Sequence, residues 1–246
     1  MDMKTSIKNE GSMNKLIARA ITGAVLMTAP LAASALVIDI NTYLAGNPVG
    51  NVTVATLTLA QNGNSVDFRF ENSVSNLGAI GDDAFISGLL FSYNGSPLLT
   101  RSSFGNFGGT QLLVAADIEI NPPGTDAGYD FYLDLGYPTS NKNPELRFTD
   151  GEYSTWTVSA ADRLSAVLVS DFTTLVTANG KPASLAMVHI QQVGAGPEGS
   201  GSLEYVGSSE ATTPPQEDLG TVPEPATLAL LGVGLAGMAL TGRRKK

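Results

Sequence analysis

The sequence predicts an all-β fold, an antiparallel β-sandwich of jelly-roll-like type, and three observations carry that expectation. Apolar residues alternate with polar ones over short runs, turn residues separate those runs, and no long amphipathic helix interrupts them. Regularly spaced short strands with Gly and Asn turns bury one face each, and two sheets packed face to face are the common solution.

The clearest strand is SVDFRFE, with Val66, Phe68 and Phe70 on one face and Asp67, Arg69 and Glu71 on the other. GYDFYLDLG repeats the pattern, setting Tyr129, Phe131, Leu133 and Leu135 against Asp130, Tyr132 and Asp134. Further strands are expected at 52–59, 85–93, 112–120, 146–149, 153–158, 166–169, 185–191 and 202–206. Between the strands fall Gln-Asn-Gly, Tyr-Asn-Gly, Asn-Pro-Pro-Gly, Asp-Gly and Asn-Gly-Lys-Pro, all residues that favour turns. One short helix is expected at 160–164. No repeat of fixed period appears, which disfavours a solenoid or propeller.

Charge narrows the partners. Of the chain's 14 Lys and Arg, eight lie in the end segments, leaving six against twenty Asp and Glu between Leu36 and Val222. Such an acidic domain repels phosphate backbones, so nucleic acid is not expected as a partner, whereas cations and neutral polymers are compatible. The chain has no cysteine, which removes disulfides, thiolate metal sites and cysteine nucleophiles together.

The two ends carry different signals. Residues 13–35, MNKLIARAITGAVLMTAPLAASA, join Lys15 and Arg19 to an apolar stretch and a small-residue site at Ala33, Ser34 and Ala35. This is the pattern of a secretory signal helix cut between Ala35 and Leu36, which brings in the export machinery and signal peptidase. Residues 1–12 read as either an upstream start-site artefact or an extended basic region of that peptide. At the other end, 18 uncharged residues separate Glu224 from Arg243; as a helix they extend ~27 Å. That length crosses a hydrocarbon core of ~30 Å once the flanking cations reach outward to the headgroups. Moving Arg243, Arg244, Lys245 and Lys246 through the bilayer would cost ~2.5–3.5 kcal/mol each. A single transmembrane helix that stops with its basic end in the cytoplasm is therefore expected.

Val222, Pro223, Glu224 and Pro225, followed by the Leu- and Gly-rich span and the basic cluster, resemble the PEP-CTERM sorting signal of Gram-negative bacteria. The resemblance covers about 25 residues, roughly a tenth of the chain. It implies recognition by an exosortase and a producer of exopolysaccharide matrix. It also implies an inner-membrane intermediate followed by release to the cell surface or matrix. The two prolines fix φ and disfavour helix at the residues before them, so this segment should meet a protease groove extended, with Glu224 as the charge read there. The expected organisation is a signal peptide over 1–35, a sandwich over 36–207, a flexible stalk over 208–221 and a sorting tail over 222–246. The stalk has no apolar period and carries Pro and charge.

Chemistry-bearing residues within the domain are sparse. His189, the sole histidine, shares a strand face with Leu185, Met187 and Gln191, and reads as a structural residue. No G-x-S-x-G elbow accompanies it, so no Ser-His-Asp triad is expected and no catalytic residue is assigned. Asp82, Asp83, Asp126 and Asp130 could offer oxygen ligands to calcium, with Asp134 and Asn121 close in sequence, but EF-hand spacing is absent. Asn51-Val52-Thr53 and Asn94-Gly95-Ser96 match the glycosylation sequon and read as strand or turn residues. Tyr132, Tyr153 and Trp156 could stack on sugars, with core packing expected for Trp156.

The reading is an exported, exosortase-processed surface or matrix protein whose non-catalytic sandwich binds polysaccharide or another surface protein, with no cofactor required and calcium as an option. Two alternatives stand beside it. A glycan hydrolase would use two carboxylates converging in a cleft, and a structural subunit would self-assemble through strand edges.

Overall fold

Alternation between polar and apolar residues builds two antiparallel sheets in this protein, described here by a computed structural model for residues 35–46, 49–194 and 201–207. The first sheet runs, in spatial order, β1 (Ala35–Ile40), β3 (Ala55–Asn62), β4 (Ser65–Asn72), β10 (Tyr153–Ser159) and β6 (Phe104–Gly109). The second runs β2 (Thr42–Gly46), β12 (Gly201–Gly207), β11 (Ala186–Val193), β5 (Phe85–Phe91), β8 (Leu133–Gly136) and β7 (Ile118–Ile120), with β9 (Phe148–Thr149) also paired to β5. With five strands in one sheet and seven in the other, it exceeds the eight strands of a jelly roll.

The core lies between the sheets. Ile38, Leu57, Phe68 and Phe70 point inward from the first, and Ile86, Leu89, Phe91, Val188, Ile190 and Tyr205 from the second. Phe68 stacks on its cross-strand neighbour Trp156 with ring centroids 5.1 Å apart, and meets Phe91 of the opposite sheet at 5.6 Å. Trp156 is 1% exposed, so it is a core residue as expected. A β-bulge on β5 interrupts the pairing between His189 and Ile190. It turns both Ile86 and Leu89 inward although they are an odd number of residues apart.

Several expectations require correction. Residues 160–164 form a turn and bend instead of a helix. Asp162 Oδ1 accepts hydrogen bonds from the Leu164 and Ser165 amides at 2.9 Å, and Arg163 has φ 56°. The carboxylate thus competes for amides that a helix would use. Residues 166–169 do not form a strand because the Gln61 side chain acts as their partner, donating to Val167 O and accepting from Val169 N, both at 3.0 Å. The 112–120 run is a strand only from Ile118. β1, β2 and β6 were not expected. β2 lies at the edge of its sheet, and β6, FGNFGG, has too few side chains to alternate.

GYDFYLDLG becomes a strand only from Leu133. Upstream, Asp126 and Tyr129 close a two-residue turn through paired backbone hydrogen bonds of 2.9 and 2.7 Å, with Ala127 and Gly128 both at positive φ. That is the hairpin type matched to strand twist. Tyr129 and Phe131 then pack with Leu90, Met187 and Val206 as a second, smaller apolar cluster. The segment from 121 to 132 therefore covers part of the outer face of the second sheet.

The expected signal peptide before Ala35, the stalk, the sorting residues Val222, Pro223, Glu224 and Pro225, and the basic end Arg243 to Lys246 lie outside the described residues. Ala35 and Leu36, at the expected cut, open β1. Among the described residues no helix is long and apolar enough to cross a membrane.

Candidate functional site

The register of the second sheet places four ionisable side chains on its outer face. His189 on β11 faces Glu204 on β12, and Asp134 on β8 faces Glu119 on β7. Gly88 and Gly136 continue the Glu204–His189 row, whereas Asp134 and Glu119 continue the neighbouring row beyond Leu90; with no side chain on Gly88, the space between His189 and Asp134 stays open. The next row, Val206, Met187 and Leu90, is capped by Tyr129 and Phe131.

Asp126 completes the group from above. Its turn is fixed by Lys181, whose Nζ donates to Ala127 O at 2.6 Å, and by Tyr129, whose hydroxyl donates to Pro182 O at 2.6 Å. So held, Asp126 Oδ2 hydrogen-bonds with His189 Nε2, while Nδ1 of the same ring lies 3.9 Å from Glu204 Oε1. The three side chains are 39%, 27% and 26% exposed for Asp126, His189 and Glu204, which leaves the cluster open to solvent.

Asp134 and Glu119 border a cleft of ≈ 400 Å³ with Asp117 and Tyr137. Burial pushes up the Asp134 carboxyl, and the facing Glu119 carboxylate adds to the rise; His189 opposes it and Asp126 reinforces it. A carboxylate removed from water beside other carboxylates holds its proton more tightly.

The four carboxylates that could offer oxygens to calcium lie in different places. Asp82 and Asp83 are exposed in the turn before β5, and Asp130 is exposed beyond Tyr129, so among the four only Asp126 joins a cluster. His189 shares the outer face of β11 with Met187 and Gln191, as the alternation suggested, while Leu185 before the strand packs in the main core; on that face the histidine meets two carboxylates. Glu204 and the Asp126–His189 contact were not anticipated. The alternation of β11 and β12 placed both side chains outward, but nothing in the sequence specified the register that pairs them.

The outer face of the first sheet is different in character. Thr56 donates to Asp39 at 3.1 Å, Thr157 donates to Asp67 at 2.6 Å, and Asn106 donates to Thr157 at 3.3 Å. Arg69 pairs with Glu71 at 2.8 Å and lies 3.8 Å over the Tyr153 ring, so one face of that ring is occupied. A polar cleft of ≈ 470 Å³ adjoins this surface, lined by Ser65, Ser102, Asn106, Thr157, Ser159 and Ser165 among others. Tyr132 packs against Tyr93 with centroids 5.5 Å apart.

Comparison with known families adds one decisive observation: the family model of the PEP-CTERM protein-sorting motif matches residues 221–245. The chain carries a PEP-CTERM sorting motif. The match supports an exosortase-targeted, exported protein with a membrane-anchored sorting signal at this end of the sequence. No curated protein matches the chain, and no solved structure does. The PEP-CTERM motif thus assigns the tail, and the sandwich has to be read from its own surfaces.

Proposed function

We propose that the exported sandwich is a non-catalytic binding domain that an exosortase delivers to the cell surface or matrix, where it engages extracellular polysaccharide. The observation that carries delivery is the PEP-CTERM motif at 221–245. Support for a polysaccharide partner comes from the outer face of the first sheet. Its hydroxyls, amides and carboxylates, with the cleft beside Asn106 and Thr157, match the donors and acceptors of a neutral or weakly charged sugar chain. Cations are too few for a nucleic acid partner.

The experiment is sedimentation of the full-length protein with the producing cell's own polysaccharide, compared with Thr157→Ala and Asn106→Ala variants. Saturable binding that both substitutions weaken supports the reading. Absence of binding, or binding that neither change affects, removes it.

A second reading, a carboxylate-dependent glycan hydrolase, draws on one observation: Asp134, its carboxyl pushed up, stands beside its cross-strand partner Glu119 at the border of a cleft. A raised acid beside a second carboxylate is the pairing that glycoside hydrolysis uses. Release of new reducing ends from the polysaccharide, lost in Asp134→Asn, would establish that reading; intact polymer after prolonged incubation would exclude it for that substrate.

A further inference from the structure

His189 is the single histidine of the chain, and its two nitrogens face carboxylates from separate elements, Asp126 in the turn and Glu204 on β12. One ligand atom each from Asp126, His189 and Glu204 lies within 4.8 Å of the other two. Tetrahedral bonds of ~2.0–2.2 Å set ligand atoms roughly 3.3–3.6 Å apart, so closure draws the more distant carboxylate in by about an ångström and opens the Asp126–His189 contact to admit the ion. The partly exposed carboxylates can supply such shifts by rotating.

The cluster also lacks competing cations. Among the described residues, the one ion pair that does not involve His189 is Arg69–Glu71, on the other sheet. Lys181, close to the Asp126 turn, uses its ammonium on the Ala127 carbonyl. Asp134 and Glu119 add further negative charge on the same face.

We propose that Asp126, His189 and Glu204 bind one divalent transition-metal ion, zinc being the best chemical fit, with the remaining coordination position open to solvent. One imidazole nitrogen with two carboxylate oxygens suits zinc and its first-row neighbours, and three protein ligands with a free position are the arrangement of an open zinc site. Calcium takes six to eight oxygens, which this set does not offer. The strand pairing of His189 with Glu204 fixes two ligands, and the turn held by Lys181 and Tyr129 brings the third. The ion therefore ties the 121–132 segment to the sheet and leaves a coordination position for an outside oxygen ligand. The site stands apart from the polysaccharide reading, which rests on the opposite sheet.

The test uses full-length protein without a polyhistidine tag, stripped with chelator, dialysed and titrated with zinc alone. Binding is followed by calorimetry and by the ring proton resonances of His189, which are unique in the spectrum. The expected result is one equivalent of zinc bound, with the ring signals shifting at the same stoichiometry. Zinc should also raise the melting temperature. His189→Gln and Glu204→Gln should each lower affinity by about tenfold or more. Absence of saturable binding, or binding that leaves the ring signals in place or survives both substitutions, overturns the site. The wild-type resonances need no substitution, so a variant that fails to fold leaves the test intact. Calcium that moves those signals at lower concentration than zinc overturns the choice of ion.

Discussion

Asp126 meets His189 across 63 residues of chain, and a tight turn makes the contact, not a strand. The turn lies where it does because Tyr129 and Phe131 bury themselves on Leu90, Met187 and Val206. A small apolar cluster thus positions a polar one. Phe131→Ala should cost about 3 kcal/mol or more in denaturant unfolding. In hydrogen exchange it should speed the amides of 121–132 more than those of β3 and β4. Uniform acceleration across both sheets would show that the cluster does not act locally.

Trp156 anchors the main core between Phe68 and Phe91. Trp156→Ala should destabilise the protein by ~3–5 kcal/mol, followed by circular dichroism. Trp156→Phe should cost less, because the buried indole nitrogen has no hydrogen-bond partner to lose. Equal losses for both variants would contradict this account of the packing.

Gly109, at φ 110°, ends β6 with its backbone against β10. A Cβ there would lie 2.2 Å from Tyr153 O, a backbone atom that cannot yield without disturbing the ladder. Gly109→Ala should therefore lower stability by about 1–3 kcal/mol. An unchanged unfolding midpoint would mean that the edge strand is free to move.

The raised Asp134 carboxyl gives a pH signature. An acid whose pKa is higher folded than unfolded binds more protons in the native state between those values. Stability therefore falls as pH rises from the unfolded pKa through the folded one. Above both, the charged carboxylate is a standing cost; below the ordinary value of 3.8 it makes no difference. In chelator, Asp134→Asn should melt higher than wild type at neutral pH, with the gap closing as the solution is acidified. A variant that melts lower at neutral pH, or a gap independent of pH, would contradict the assignment.

Legibility in the sequence followed the locality of the signal. Val66, Phe68 and Phe70 announce β4 because alternation is written in adjacent residues, and all three are buried. The alternating 129–135 run also kept its four apolar residues inside, yet Tyr129 and Phe131 serve a different cluster from Leu133 and Leu135. Periodicity tells which side chains share a face, but not which surface covers them. Gln61 replacing a strand partner at Val167 and Val169, and Asp126 reaching His189, depend on side-chain contacts between distant segments that no local pattern encodes. The sorting motif was readable for the opposite reason, since residues 221–245 carry their information in order along the chain.

The most direct measurement of the central claim is a C-terminal peptide map of the mature protein recovered from the surface of the native host. Exosortase processing should leave no peptide containing Leu228 to Lys246, and Glu224→Ala should cause the full tail to persist in the membrane fraction. A surface protein that retains its chain through Lys246 would contradict sorting by this motif.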